Sequence, residues 1–376
     1  MSAYVWQPEI TSPGIRLAEK DNIAVAGLPT SAGGAAPIIA NELRTAPVVQ
    51  TLLDGGYALV GKTKMVELAF GGWGTNAAAG APGNPWDSSR VCGGSSSGSA
   101  AAVADGTADV ALGTDTGGSV RIPAALCGVC GYKPRRSVIP VEGVVPLAPS
   151  LDTVGIFARD VAGVQAAIAH FAPVPDARQP STVAVWSSDD VEPAIATAMT
   201  IATGWLNAAG VESRSLHPMP NYLARSQPML AYEAWQTWHA HLRRHRATMD
   251  ADVVAKLDKA AATTDTEYRS ALADRDRDCA QDAAEWPADV LMLPTVPMVA
   301  PRFSEVDGES TDIARFTRMA NWIDLAAMSL PVGLSETGLP VAVQLVARSG
   351  AEPALFALAR LLEAVRGPLT RPGENR

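Results

Sequence analysis

Two neighbouring stretches hold the residues best suited to chemistry, CGGSSSGSAAAVADG over 92–106 and ALGTDTGGSVRIPAALCGVCGYKP over 111–134. They set a dense run of Gly, Ser and Thr between short apolar segments. A flexible linker has a similar Gly/Ser content, but it does not alternate so tightly with runs such as AAAVA. Inside a fold, such a loop lets backbone N–H groups approach a ligand closely. Nothing marks that ligand as a phosphate, because neither GxxxxGK[ST] nor a GxGxxG after a strand is present. Gly94-Ser95-Ser96-Ser97-Gly98 satisfies G-x-S-x-G centred on Ser96, the form of a nucleophile elbow. That arrangement needs a histidine downstream of an acid, and the last histidine, His245, lies in a charged helical stretch. A pentapeptide in a Ser/Gly run also matches readily by chance. Cys127-x-x-Cys130 reads as buried packing rather than a redox or metal pair, since no second CxxC exists. His241 and His245 share a helix face, but the arginines beside them oppose a cation and no HExxH is present. No metal and no cofactor are expected.

These residues resemble the signature segment of the amidase signature family. Its pattern is a Gly-Gly-Ser-Ser-Gly-Gly-Ser run, then Gly-Thr-Asp-Thr-Gly-Gly-Ser-Ile-Arg and a Gly-x-x-Gly-x-Lys-Pro turn. The likeness extends in order through GIRLAEKDNIAVAGLPTSAG (14–33), VGKTKMVELAFGG (60–72), GNPWDSSRVCGGSSSG (83–98), GVVPLAPSLDTVGIFARDVA (143–162), ADVLMLPTVPMVAP (288–301) and SLPVGLSETGLPVAVQLVA (329–347). The resemblance implies a Ser–Ser–Lys triad whose middle serine sits on a cis peptide bond. Carried over residue by residue, the nucleophile is Ser119 of Thr-Gly-Gly-Ser, the bridging serine is Ser95 and the base is Lys20 of Lys-Asp-Asn. Lys62 of GKTK belongs to a different family segment and is the second candidate for the base. The run Thr116, Gly117, Gly118 and Ser119 is expected to supply backbone donors to an oxyanion. Ser96, Asp115 and Arg121 are expected to support the loop.

The implied chemistry suits these residue types. A serine hydroxyl is a poor nucleophile until a base removes its proton, and lysine can serve as that base when burial keeps it neutral. The neighbours of Lys20, GIRLA before it and NIAVAG after it, are mostly small and apolar. Ser95 is expected to relay the proton between Lys20 and Ser119 and to deliver it to the leaving amine. Glycines bring the backbone close enough to stabilise the developing charge.

The elements that must position these groups are expected to form an α/β fold, with a mixed central β-sheet covered by helices on both faces, as the resemblance implies. Short β-branched runs (Ala58–Val60, Val110–Leu112, Val138–Pro140) alternate with helix-compatible stretches. Residues 1–376 are read as one amidase domain: catalytic core and signature over 14–162, a variable helical substrate region over 165–285, and a closing core segment over 288–365. Within the middle region, Ser226–Ala284 reads as amphipathic helices, and a helix over Glu352–Val365 closes the chain. Trp205, Tyr232, Trp235, Trp238 and Tyr268 make that region the expected main source of the substrate wall. Departures from the family pattern include Ser97 in place of a glycine, and Arg135-Arg136, read as a carboxylate contact or a solvated pair.

Composition limits the partners. With 47% hydrophobic and 18% charged residues the chain can bury a large core. A net charge of −9 lacks the basic footprint of a nucleic-acid binder. No signal peptide and no membrane span is legible, and four cysteines fit a reducing compartment, so a cytoplasmic location is expected. The implied reaction is hydrolysis of a small-molecule carboxylic amide through an acyl-enzyme, with a homodimer as the candidate assembly. The alternative is an ammonia-generating component of an amidotransferase complex.

Overall fold

Near-continuous apolar runs build strands that bury both faces. In the strand Pro340–Ala347, Val341, Val343, Leu345 and Ala347 enter one apolar layer, while Ala342 and Val346 enter layers on the opposite face. The computed structural model describes residues 2–9, 13–216, 219–308, 310 and 312–371, with backbone alone for 281–285.

The strands are β1 (Tyr4–Trp6), β2 (Ile15–Lys20), β3 (Tyr57–Thr63), β4 (Val110–Asp115), β5 (Cys130–Lys133), β6 (Thr153–Ala158), β7 (Thr182–Val185), β8 (Glu212–Ser215), β9 (Val290–Pro294), β10 (Ala326–Leu334) and β11 (Pro340–Ala347). The helices are α1 (Pro47–Asp54), α2 (Ser97–Ala104), α3 (Arg121–Cys127), α4 (Val161–Ile168), α5 (Pro193–Ala208), α6 (Tyr222–His245), α7 (Ala251–Ala260), α8 (Asp265–Glu285), α9 (Arg318–Trp322) and α10 (Glu352–Arg366). The strands form one mixed sheet in the order β1-β3-β2-β4-β6-β5-β10-β11-β9-β7-β8. β2 runs parallel to both β3 and β4, whereas the pairs from β4 to β9 through β6, β5, β10 and β11 are antiparallel.

Helices cover both faces. α1, α4, α5 and α10 pack on one, and α2 and α3, with α6 to α9, pack on the other. Burying each of Leu355, Leu358 and Leu362 on α10 contributes about 2 kcal/mol. α3 stops at Gly128, whose φ of 69° turns the chain into β5.

Two elements differ from the expectation. Val138–Pro140 forms no strand; it lies in turns where Ser137 has a φ of 66° and Pro140 has no N–H to give a ladder. The middle region is not wholly helical, because β7 and β8 extend the sheet at one edge through parallel pairing with β9.

Candidate active site

Because β2 and β4 are parallel neighbours, their C-terminal ends emerge at the same edge of the sheet. Lys20 ends β2, and Thr114 and Asp115 end β4. Lys20 shares a strand face with Ala18, which packs against the alanines of α2. The chain enters α2 through Ser95 and Ser96, and the Gly94–Ser95 peptide bond is cis. Gly94 N donates to Gly72 O at 2.7 Å, and Ser95 O accepts from Val66 N at 3.0 Å, which holds this entry in place. The result brings together residues 75 apart in sequence: Lys20 Nζ lies 2.6 Å from Ser95 Oγ. Lys20 Nζ also donates to Thr114 Oγ1 at 2.7 Å, which in turn accepts from Asn22 Nδ2 at 3.2 Å. Ser119 joins this group through the backbone, its carbonyl accepting from Ser96 N at 3.3 Å.

Lys20 is fully buried, and desolvation of its ammonium lowers its pKa to about 7 against the opposing pull of Asp115 and Asp152. Lys62 is buried as well, but in a different setting. Its Nζ donates to Pro29 O (2.7 Å) and Thr30 Oγ1 (3.2 Å), and it lies 3.4 Å from Asp21 Oδ1 and 4.0 Å from Glu19 Oε1. Burial pushes the Glu19 carboxyl up, opposed by the charge of Lys62. Ser96 Oγ is spent on the backbone, donating to Thr114 O at 3.2 Å and accepting from Thr114 N at 3.3 Å.

The loop from Asp115 to Ser119 is organised around one carboxylate. Asp115 accepts from Gly118 N (2.7 Å), Val120 N (3.1 Å), Arg121 Nε (3.1 Å) and Nη2 (2.8 Å), and Asn321 Nδ2 (3.0 Å). Burial pushes this carboxyl up, but the Arg121 charge and its hydrogen bonds win and hold it well below the usual range. Arg121 continues outward to Gln344 Oε1 (2.6 Å), Asn321 Oδ1 (2.6 Å) and Thr317 O (2.7 Å). Thr116 Oγ1 donates to Asp152, whose own pKa burial raises to about 6. The expected set of four oxyanion donors needs one correction. Gly118 N–H points at Asp115, so Thr116, Gly117 and Ser119 carry the N–H groups that donate to no other group among the described residues.

A small cavity of about 40 Å³ opens beside Ser119, which is 8% exposed. Its walls come from Ala69–Gly72, Ile122, Leu147, Leu230, Ala314 and Arg318. Of the described residues of 165–285, where the main substrate wall is expected, Leu230 alone lines this cavity. Trp205 packs against the core under α5, Trp238 donates to Pro146 O, and Tyr232 and Tyr268 stack on each other with centroids 4.4 Å apart. Aromatic residues signal burial, and on long helices most of that burial is against neighbouring helices.

The other singled-out residues are engaged elsewhere. Arg135 pairs with Glu352 at 3.1 Å, and Arg136 Nη1 donates to Ser150 O at 2.6 Å. Cys127 and Cys130 are buried free thiols, both pushed up by burial. The His241 and His245 rings stack 4.4 Å apart. Sequence reasoning missed Thr114, Asn22, Thr317, Arg318 and Asn321. Thr114 sits inside the GTDTGGS run and could have been found as a polar strand end; the α9 residues carry no local motif.

An Amidase family model matches residues 13–356. The chain is 35% identical to 2-amino-5-chloromuconic acid deaminase of Comamonas testosteroni, over 94% of this chain and 82% of that one. It is 33% identical to a glutamyl-tRNA(Gln) amidotransferase component of Anaeromyxobacter sp. (strain K), over 96% and 84%. A crystal structure of an amidase superposes with a TM-score of 0.87 at 32% identity, covering 94% of this chain and 85% of that one.

Proposed function

This chain belongs to the amidase family, and from that premise we propose that it hydrolyses the amide of a small carboxylic acid through an acyl-enzyme on Ser119. The observation that carries the mechanism is Lys20 Nζ, buried and 2.6 Å from Ser95 Oγ, with a pKa brought down to about 7. A neutral amine there has a lone pair for the Ser95 hydroxyl proton and N–H groups left for Thr114. As Ser119 Oγ attacks the carbonyl carbon, its proton passes to Ser95 and the Ser95 proton passes to Lys20. The carbonyl oxygen becomes an oxyanion facing the N–H groups of Thr116, Gly117 and Ser119. The protons return by the same route to the leaving nitrogen, the C–N bond breaks, and ammonia or an amine departs. Water, deprotonated by the same relay, then cleaves the ester and frees Ser119.

Incubating the purified chain with a panel of small amides and measuring ammonia tests this reading. Turnover is expected, with S119A inactive and fluorophosphonate labelling Ser119 rather than Ser96. Labelling of Ser96 alone overturns the assignment of the nucleophile. The likeness to an amidotransferase component favours a second reading, in which ammonia is passed to a partner. Hydrolysis of free small amides without any partner separates the two.

A further inference from the structure

We propose that Arg318 receives a carboxylate of the substrate, so that the amide cleaved is a half-amide of a small dicarboxylic acid. The inference rests on the amidase reading and deepens it.

Arg318 opens α9 and lines the same cavity as Ser119. It is only 5% exposed, yet its Nε and Nη1 find no acceptor among the described residues. Two other buried cations differ. Arg121 is saturated by Asp115, Gln344, Asn321 and Thr317 O, and Lys133 donates to Pro134 O at 2.9 Å. Asp115 stabilises the Arg318 charge from a distance, but its oxygens are already taken by Arg121, Asn321 and two backbone N–H groups. Burial lowers the Arg318 pKa to about 10, so the group stays charged at neutral pH.

A buried guanidinium with idle donors calls for an anion, because each unmade bond leaves a desolvated polar group uncompensated. Nη2 shares one edge of the planar guanidinium with Nε and another with Nη1, so a carboxylate can take two parallel bonds, from Nη2 and one of the idle nitrogens. The placement ties that anion to the reaction. A Cβ built on Gly117 would sit 2.7 Å from Arg318 Nε and 2.9 Å from its Cζ, so the guanidinium rests on the oxyanion segment two residues from the nucleophile. Phe70, Ile122, Leu147 and Leu230 present apolar surface around it. A short aliphatic chain with an amide at one end and a carboxylate at the other matches these surroundings.

The test compares malonamate, succinamate and glutaramate with their uncharged diamides. For wild type, kcat/KM for at least one half-amide is expected to exceed that of its diamide by about a hundredfold. Arg318→Met should collapse this ratio, and Arg318→Lys should restore part of it. Thermal melts identify a variant that fails to fold, in which case Arg318→Gln supplies the ratio. In parallel, S119A is titrated calorimetrically with the same half-amides, and adding R318M should abolish binding. Equal use of half-amides and diamides by wild type, or an unchanged ratio in the folded variant, overturns the proposal. An equal fall for both substrates also overturns it, placing Arg318 on the reacting oxygen or in the fold. If diamides are cleaved without a preference, hydrolysis stands and this inference fails. If no amide is cleaved but S119A binds a half-amide through Arg318, the anion site stands and the hydrolytic reading fails.

Discussion

Asp115 and Arg121 are joined by two hydrogen bonds, Nε to Oδ2 at 3.1 Å and Nη2 to Oδ1 at 2.8 Å, with both side chains wholly inaccessible to solvent. The pair links the end of β4 to the start of α3, and the segment between them carries Gly117, Gly118 and Ser119. A buried ion pair of this kind is strongly destabilising to break from one side, because the remaining charge has nowhere to go.

Asp115→Asn should therefore lower stability by about 3–5 kcal/mol, read from urea unfolding at neutral pH. The pH dependence has a definite sign. Asp115 is held below its unfolded value, so its contribution is full above the unfolded pKa of about 3.9 and is lost as pH falls through the folded one. The wild-type loss of stability below pH 4 should be shallower in the Asn variant. An equally steep loss would show that Asp115 is not responsible.

Lys20 should set the acid limb of the rate profile. With a pKa near 7 its neutral, proton-accepting form grows as pH rises, so kcat/KM should climb tenfold per unit below 7 and level off above. Lys20→Ala and Lys20→Arg should both remove the limb with most of the turnover. Lys62→Ala should keep the limb, even though it strands Glu19 and Asp21 and lowers the melting temperature. A Lys62 variant without the limb would reverse the assignment of the base.

Thr114→Val removes the second oxygen that Lys20 Nζ contacts. That oxygen favours the charged amine more than the neutral one, so its loss should move the limb to lower pH and slow turnover about tenfold. An upward move of the limb would contradict this picture of the contact.

Gly118→Ala should be far worse than its size suggests. The new methyl would meet Thr317 Oγ1 at 2.1 Å, and Gly118 has a φ of 130°. A loss of about 3 kcal/mol is expected in thermal unfolding, with activity falling out of proportion because Ser119 is displaced. Retention of wild-type activity would show that the loop can shift freely.

What the sequence discloses depends on how far apart the contributors lie and whether a local pattern marks them. Lys20, Ser95 and Ser119 are readable because each sits in a segment that resembles the family's pattern, and the structure brings the first two within 2.6 Å. The strands β9 and β11 run through ADVLMLPT and LPVAVQLVA, apolar stretches whose short length between turns suits a strand better than a helix. Arg318 is not readable. Arginine in a short helix is ordinarily solvated, and only the packing of α9 against the Gly117 loop buries it. The aromatic residues of α6 and α8 misdirect for the opposite reason. Their size marks burial without saying against which surface.

The bond from Arg121 to Gln344 spans 223 positions. A ribosome releases the chain from its N-terminal end, so the loop bearing Ser119 emerges long before the strand that completes its support. Through most of synthesis Ser119 is present while the scaffold of its loop is not, and the finished geometry of that loop must arrive as a late step, after β11 has docked between β10 and β9.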